Sequence, residues 1–138
     1  MKSDQEKLLE LGFETAGHWE LQDGRLAYKL HKHSEARSVL YAFLCSGRAM
    51  YIGKTRLSLR QRMSGYKHPA TSQRTNVRNN SYIHEQLESK QAVEILTFPP
   101  KELNSYKGYS INLAAGLEDS LIETFKPKWN LNGKIQEA

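Results

Sequence analysis

Two charged side chains fall on faces that ought to be apolar. In the helical pattern of residues 58–66, Leu59, Arg62, Met63 and Tyr66 share one face at i, i+3, i+4 and i+7 spacing. Arg62 is the cation on that inward stripe, while Arg60 and Gln61 point elsewhere. In the pattern of residues 112–125, Leu113, Ala114, Leu117, Leu121, Ile122 and Phe125 fill one arc, and Glu118 sits inside it. A carboxylate there needs a cation, a metal ion or a hydrogen-bond donor. Arg62 could supply an ion pair, and a hard divalent cation could take the same oxygens. Nearby in the chain are two strand tyrosines, Tyr41 and Tyr51, and a lysine, Lys54, that follows Gly53 as a strand ends. Strand tyrosines are most often packing residues. Lys54 has the form of a point-charge phosphate ligand or of an exposed lysine.

The elements that must hold these groups are readable from periodicity. Residues 4–11 form a short amphipathic helix ended by Gly12. His18 to Leu30 alternates around Asp23-Gly24, a strong hairpin signal. Val39–Cys45 and Ala49–Gly53 are strands joined at Ser46-Gly47, and they can pair only as an antiparallel hairpin. Helices are expected at Ser58–Tyr66, Ser81–Ser89 and from Asn112, as cap, to Phe125, with a polar loop over 67–79. Ala92–Phe98 is a third central strand closed by Pro99-Pro100, and 101–110 is a loop. The order predicts an α+β fold: a small mixed or antiparallel three-stranded central sheet flanked by helices, with an extra N-terminal helix and β-hairpin.

The 138 residues make one domain's worth of chain. No apolar run approaches the roughly 20 residues of a membrane span, and no apolar segment follows the N-terminal Met1–Glu6 as in a signal peptide. The single cysteine, Cys45, excludes an internal disulfide and a multi-cysteine zinc site, which suits a reducing cytoplasm. The net charge of +5 is unevenly placed. Residues 1–35 and 85–138 each balance at −2, whereas 36–84 carry nine Lys or Arg and no acid. Arg56, Arg60, Lys67, Arg74 and Arg78 lie there, with His68 in the loop and tyrosines interleaved. That concentration points to a polyanion partner.

Taken together, these positions resemble the GIY-YIG nuclease superfamily. The first signature stands here as Val39-Leu40-Tyr41, keeping only its tyrosine, and the second is intact as Tyr51-Ile52-Gly53, extended by Lys54-Thr55. The helical L-x-x-R reads Leu59-Arg60-Gln61-Arg62, with Tyr66 four residues on. E-x-x-L-I reads Glu118-Asp119-Ser120-Leu121-Ile122, and K-P-x-x-N reads Lys126-Pro127-Lys128-Trp129-Asn130. The resemblance spans 38–132, which sets the expected organisation: an N-terminal extension over 1–37 packed on a nuclease core over 38–132, then a tail over 133–138, all in a single domain.

The resemblance implies an endonuclease that hydrolyses DNA phosphodiesters with one Mg²⁺ or Mn²⁺ per active site. Glu118 would be the metal ligand, Arg62 the phosphate clamp and Tyr41 the general base. Tyr51, Tyr66 and Lys54 would complete the catalytic set, with Gly53 and Asn130 structural beside it. Arg56, Arg60, Lys67, His68, Arg74 and Arg78 would contact DNA. No membrane or small-molecule cofactor is implied. One centre per chain means that cutting both strands needs a homodimer on DNA or sequential nicks. A compact restriction-like or structure-selective enzyme fits the length, and the superfamily also includes repair and homing nucleases. The rival readings are a catalytically silent DNA-binding module and an RNA-directed nuclease or binder, because a basic aromatic surface does not separate DNA from RNA.

Overall fold

The strand β5 (Val93–Phe98) decides the topology. Four of its six side chains are buried, so it must lie inside a sheet with both edges paired. In the computed structural model, which describes residues 1–98 and 105–137 and side chains as far as Asn132, β5 pairs antiparallel on one side with β1 (Glu14–Gln22) and on the other with β3 (Arg37–Cys45). β2 (Arg25–Leu30) extends the sheet beyond β1, and β4 (Arg48–Ser58) beyond β3. The result is one antiparallel sheet of five strands in the order β2-β1-β5-β3-β4. The three-stranded sheet expected from the sequence is corrected: the N-terminal hairpin is not an appendage but two strands of that sheet. The physical reason is β5, whose far edge would otherwise hold unpaired backbone groups in the interior.

Helices cover both faces. On one side, α2 (Leu59–Lys67) and α3 (Arg74–Glu88) enclose a core that includes Trp19, Tyr41, Phe43, Leu59, Met63, Tyr66 and Ile83. On the other, α1 (Asp4–Leu11) and α4 (Leu113–Phe125) pack on Leu40, Ala42, Leu44, Ile52 and Leu96. Side-chain caps start three of these helices. Ser3 and Ser58 each form a capping box, with Glu6 and Gln61, and the Asn112 carboxamide oxygen accepts from the Ala115 N–H.

Three local features differ from expectation. α3 begins at Arg74, well before residue 81, and shortens the polar loop. A short hairpin, β6 (Ser105–Tyr106) with β7 (Tyr109–Ser110), occupies part of the expected 101–110 loop. Beyond Pro127 the chain forms a further helix, α5 (Lys128–Glu137), which docks Trp129 face-on against Tyr82. The Pro99-Pro100 strand stop lies outside the described residues.

Candidate active site

The register of one hairpin brings the first two candidate side chains together. β3 and β4 are joined by Ser46-Gly47, both with positive φ, the geometry of a tight two-residue turn. That turn pairs Cys45 with Arg48 and Leu44 with Ala49, a register that would set Tyr51 opposite Ala42, on the wrong face. Met50 is an extra residue at a β-bulge, and beyond it Phe43 pairs with Tyr51 and Tyr41 with Gly53. Tyr41 and Tyr51 therefore share a face, with ring centroids 6.3 Å apart. Gly53 leaves room for them: a Cβ there would stand 2.6 Å from the Tyr41 hydroxyl and 2.9 Å from Cε2 of Tyr51.

Helix α2 adds a cation and a third tyrosine. Leu59, Met63 and Tyr66 anchor its inner stripe in the core, which carries Arg62 to the edge of the same face. Arg62 Nε donates to the Tyr41 hydroxyl at 3.1 Å and Nη2 to the Tyr66 hydroxyl at 2.8 Å. The two hydroxyls are 2.6 Å apart, and the guanidinium lies 4.1 Å from the centre of the Tyr66 ring. Burial pushes the Tyr41 hydroxyl well up from the ordinary tyrosine range, against the pull of Arg62 and Tyr66. Tyr66 is raised likewise, first by burial and then by its tyrosine neighbours. Burial works against the Arg62 cation too, but the three hydroxyls around it outweigh that and its pKa rises. The cluster is a fixed cation with neutral hydroxyls. One wall of an open groove of about 430 Å³ is Arg62, and Ser72, Gln73, Arg74, Thr75 and Asn76 complete it.

Glu118 approaches from the other face of the sheet. Ala114 and Leu121 are buried on α4, and Glu118 between them retains 17% exposure of its side chain. Burial raises its carboxyl pKa, with Lys54 opposing and Asp119 assisting. Its cation is Lys54, with Nζ 3.7 Å from Oε1, and not the Arg62 that the sequence put forward as its ion-pair partner. The strand alternation explains this. Lys54 and Ile52 face α4, whereas Tyr51 and Gly53 face α2. Tyr51 senses both halves: burial raises its hydroxyl, the Glu118 charge adds to that, and Arg62 and Arg78 oppose it.

A support at the sheet edge completes the site. β4 is an edge strand, and Asn130 of α5 occupies the place of a missing neighbour. Its Oδ1 accepts from the Ile52 N–H and its Nδ2 donates to the Ile52 carbonyl, each at 2.9 Å. The basic side chains divide. Arg74 lines the Arg62 groove, and half-buried Arg78 acts on Tyr51. Arg56 flanks a small pocket of about 180 Å³ with Lys54, Thr55, Asn112, Ala114 and Ala115. Arg60 turns away from the tyrosines to Glu35, with Nε 2.9 Å from Oε1. Lys67 and His68 line a separate cleft. The sequence grouped Arg78 with the docking surface; its closeness to Tyr51 depends on α3 starting at Arg74. Asn76, in the groove, carried no signal beyond its spacing from Asn79 and Ile83 on the buried face of α3. Among the described residues no three His, Cys, Asp or Glu side chains form a metal-binding group.

No protein-family model matches the chain, and no curated protein does. Solved structures do. The bacteriophage T4 EndoII E118A mutant superposes with a TM-score of 0.72 at 25% identity, covering 94% of this chain and 99% of that one. The restriction endonuclease HPY188I, in complex with product DNA, superposes with a TM-score of 0.57 at 15% identity, covering 90% of this chain and 79% of its own; that likeness concerns the fold alone. The chain has a nuclease fold, and the similarity to the phage enzyme supports a DNA endonuclease.

Proposed function

We propose that this chain is a divalent-metal-dependent DNA endonuclease of the GIY-YIG type, with residues 38–132 as its catalytic core. The observation that carries the reading is the Arg62 fork on the Tyr41 and Tyr66 hydroxyls, next to Tyr51 and across the sheet edge from Glu118. A purely structural arginine would be expected to find an acid; this one is surrounded by hydroxyls and borders an open groove.

Glu118 fits a single-carboxylate Mg²⁺ site. Its oxygens are hard, and its neighbour Lys54 is loosely held at 3.7 Å and half exposed, so it can swing aside. Mg²⁺ commonly takes one or two carboxylates and fills the rest with waters and substrate phosphate. When bound, one Mg²⁺ or Mn²⁺ per site would supply charge stabilisation for the scissile phosphate and its leaving 3′ oxygen. Arg62 binds a non-bridging phosphate oxygen with the guanidinium edge not used by the tyrosines. Tyr66 fixes the guanidinium plane. Tyr41 is the general base, with Arg62 Nε and Tyr66 as the donors that hold its oxyanion; burial opposes that charge and keeps the hydroxyl protonated at neutral pH. Tyr51 orients the attacking water, and Lys54 neutralises phosphate charge. Arg56, Arg74 and Arg78 draw the duplex in, together with Lys67 and His68.

The test is incubation of supercoiled and linear DNA, and of RNA, with Mg²⁺ or Mn²⁺, followed by sequencing of the ends. Defined ends indicate restriction-type cutting, and ends at branches indicate structure selectivity. Nicks rather than double-strand breaks indicate a single centre acting alone. Folded protein that binds DNA but yields no product with either ion would make it a binding module, and preferential cutting of RNA would overturn the substrate assignment.

A further inference from the structure

A second polar cleft, of about 800 Å³, shares no lining residue with the tyrosine–arginine cluster. Its walls are the β1–β2 turn (Gln22 to Ala27), the end of α2 (Lys67, His68) and α3 (Asn80, His84). We propose that this cleft holds the phosphodiester backbone of the DNA away from the cut, with Arg25 and Lys67 as its cations. The inference rests on the endonuclease reading and deepens it, giving the N-terminal hairpin a function.

Charge is the first argument. Arg25 belongs to the net acidic segment 1–35, yet the fold sets it beside Lys67 and His68. The His84 ring faces acceptors on both sides: Nε2 is 3.0 Å from the Gly24 carbonyl and Nδ1 is 2.6 Å from a Glu88 carboxylate oxygen. Neither acceptor can donate, so this geometry calls for a proton on each ring nitrogen: His84 is an imidazolium paired with Glu88, and both its N–H groups brace the cleft wall. Among the described residues Asp23 is the one acid in the lining.

Rigidity is the second. The His84 bond to Gly24 ties the turn to α3, and Asn80 Nδ2 donates to the Tyr66 carbonyl at 2.8 Å, tying α3 to α2. The three walls are braced before any ligand arrives. The chemistry selects phosphate over base, because among the described residues no Phe, Tyr or Trp lines the cleft to stack one. Lys67 lies five residues beyond Arg62 on the same helix, an axial offset of about 7–8 Å. That is roughly two nucleotide rises along a strand. α2 therefore spans from the phosphate clamp to the second contact.

The test is binding of a fluorescent duplex in EDTA, measured by anisotropy across a salt series. The variants are Arg25→Gln and Asp23→Asn, with Lys2→Gln as a remote control. Asn suits the positive φ at Asp23, and Asn-Gly is a favoured hairpin turn, so the turn should survive. Losing one phosphate contact should reduce the salt slope by about 0.9, which is about fivefold in affinity near 0.15 M salt. Arg25→Gln should show that loss, Asp23→Asn should bind more tightly, and Lys2→Gln should match wild type. If wild type binds and Arg25→Gln binds with the same slope and affinity, the cleft is not a DNA contact. If wild type binds no DNA at all, the endonuclease reading itself fails, and this inference with it.

Discussion

Gly53→Ala adds one methyl group at the centre of the candidate site. Its Cβ would stand 2.6 Å from the Tyr41 hydroxyl oxygen, 2.8 Å from Cζ of the same ring and 2.9 Å from Cε2 of Tyr51. Favourable contacts between heavy atoms begin near 3.5 Å, so something must retreat by roughly 0.6–0.9 Å. Tyr41 has little freedom to do so: it is 1% exposed, and its hydroxyl is held by both Tyr66 and Arg62. Overpacking of this kind costs about 1–3 kcal/mol. For a domain of this size that lowers Tm by roughly 4–12 °C. The functional loss should be larger than the stability loss suggests, because a displacement near 1 Å at a reacting group costs about 10²-fold in rate. The control is Gly116→Ala in α4, where a Cβ meets no atom within 4 Å. It should gain up to about 1 kcal/mol from helix propensity and leave cleavage alone. Thermal melts and single-turnover nicking of supercoiled plasmid measure both. A Gly53→Ala protein that melts and cuts like wild type would refute the claim that Gly53 sets the positions of the tyrosines.

Four further outcomes are expected. Glu118→Gln should abolish cleavage with any divalent ion while metal-free DNA binding holds or tightens; stability should stay within about 1 kcal/mol of wild type in a melt, since relief of carboxylate burial offsets loss of the half-exposed Lys54 pair. Asn130→Ala removes both hydrogen bonds to Ile52 and should cost about 1–3 kcal/mol by denaturant titration, together with cleavage rate, as β4 loosens. With Tyr41 as base, the single-turnover rate should climb about tenfold per pH unit above neutrality, and Tyr41→Phe should abolish that climb; stability should then fall above about pH 10, because Tyr41 and Tyr66 hold their protons more tightly folded than unfolded. Metal-free DNA affinity should fall with added salt at a log–log slope of roughly −0.9 per phosphate contact, and a flat response would remove 36–84 as the docking surface.

What the sequence concealed has physical causes. α3 was half hidden because its buried face is built from Asn76, Asn79 and Ile83, so the helix carries no apolar period over its first two turns. α5 mixes Asn and Gly into a short segment, and Trp129 is buried on its inward side. The sheet was undercounted because pairing between β1 and β5 joins residues some eighty apart, and alternation alone does not name a strand's partner. Arg62 and Glu118 were legible for the opposite reason: each breaks a strong local apolar pattern, and such a break shows without any knowledge of partners. Their partners were not legible. Arg62 and Glu118 read as complementary charges, but which cation meets Glu118 depends on which side of β4 each residue leaves.

That strand accounts for the geometry residue by residue. Tyr51 faces α2 only because Met50 bulges and shifts the register by one. Ile52 faces α4, fully buried, and hands its backbone N–H and carbonyl to Asn130. Gly53 faces Tyr41 and supplies the missing volume. Lys54 faces α4 again and meets Glu118. Four consecutive residues thus serve two faces and one edge. A central strand could not do this, since its neighbours would block passage from one face to the other. An unsupported edge strand would lack the rigidity to hold hydroxyls and a carboxylate in register. In the proposed mechanism, the β4 edge, held by Asn130 instead of another strand, would let Arg62 carried by α2 and Glu118 carried by α4 serve one phosphodiester.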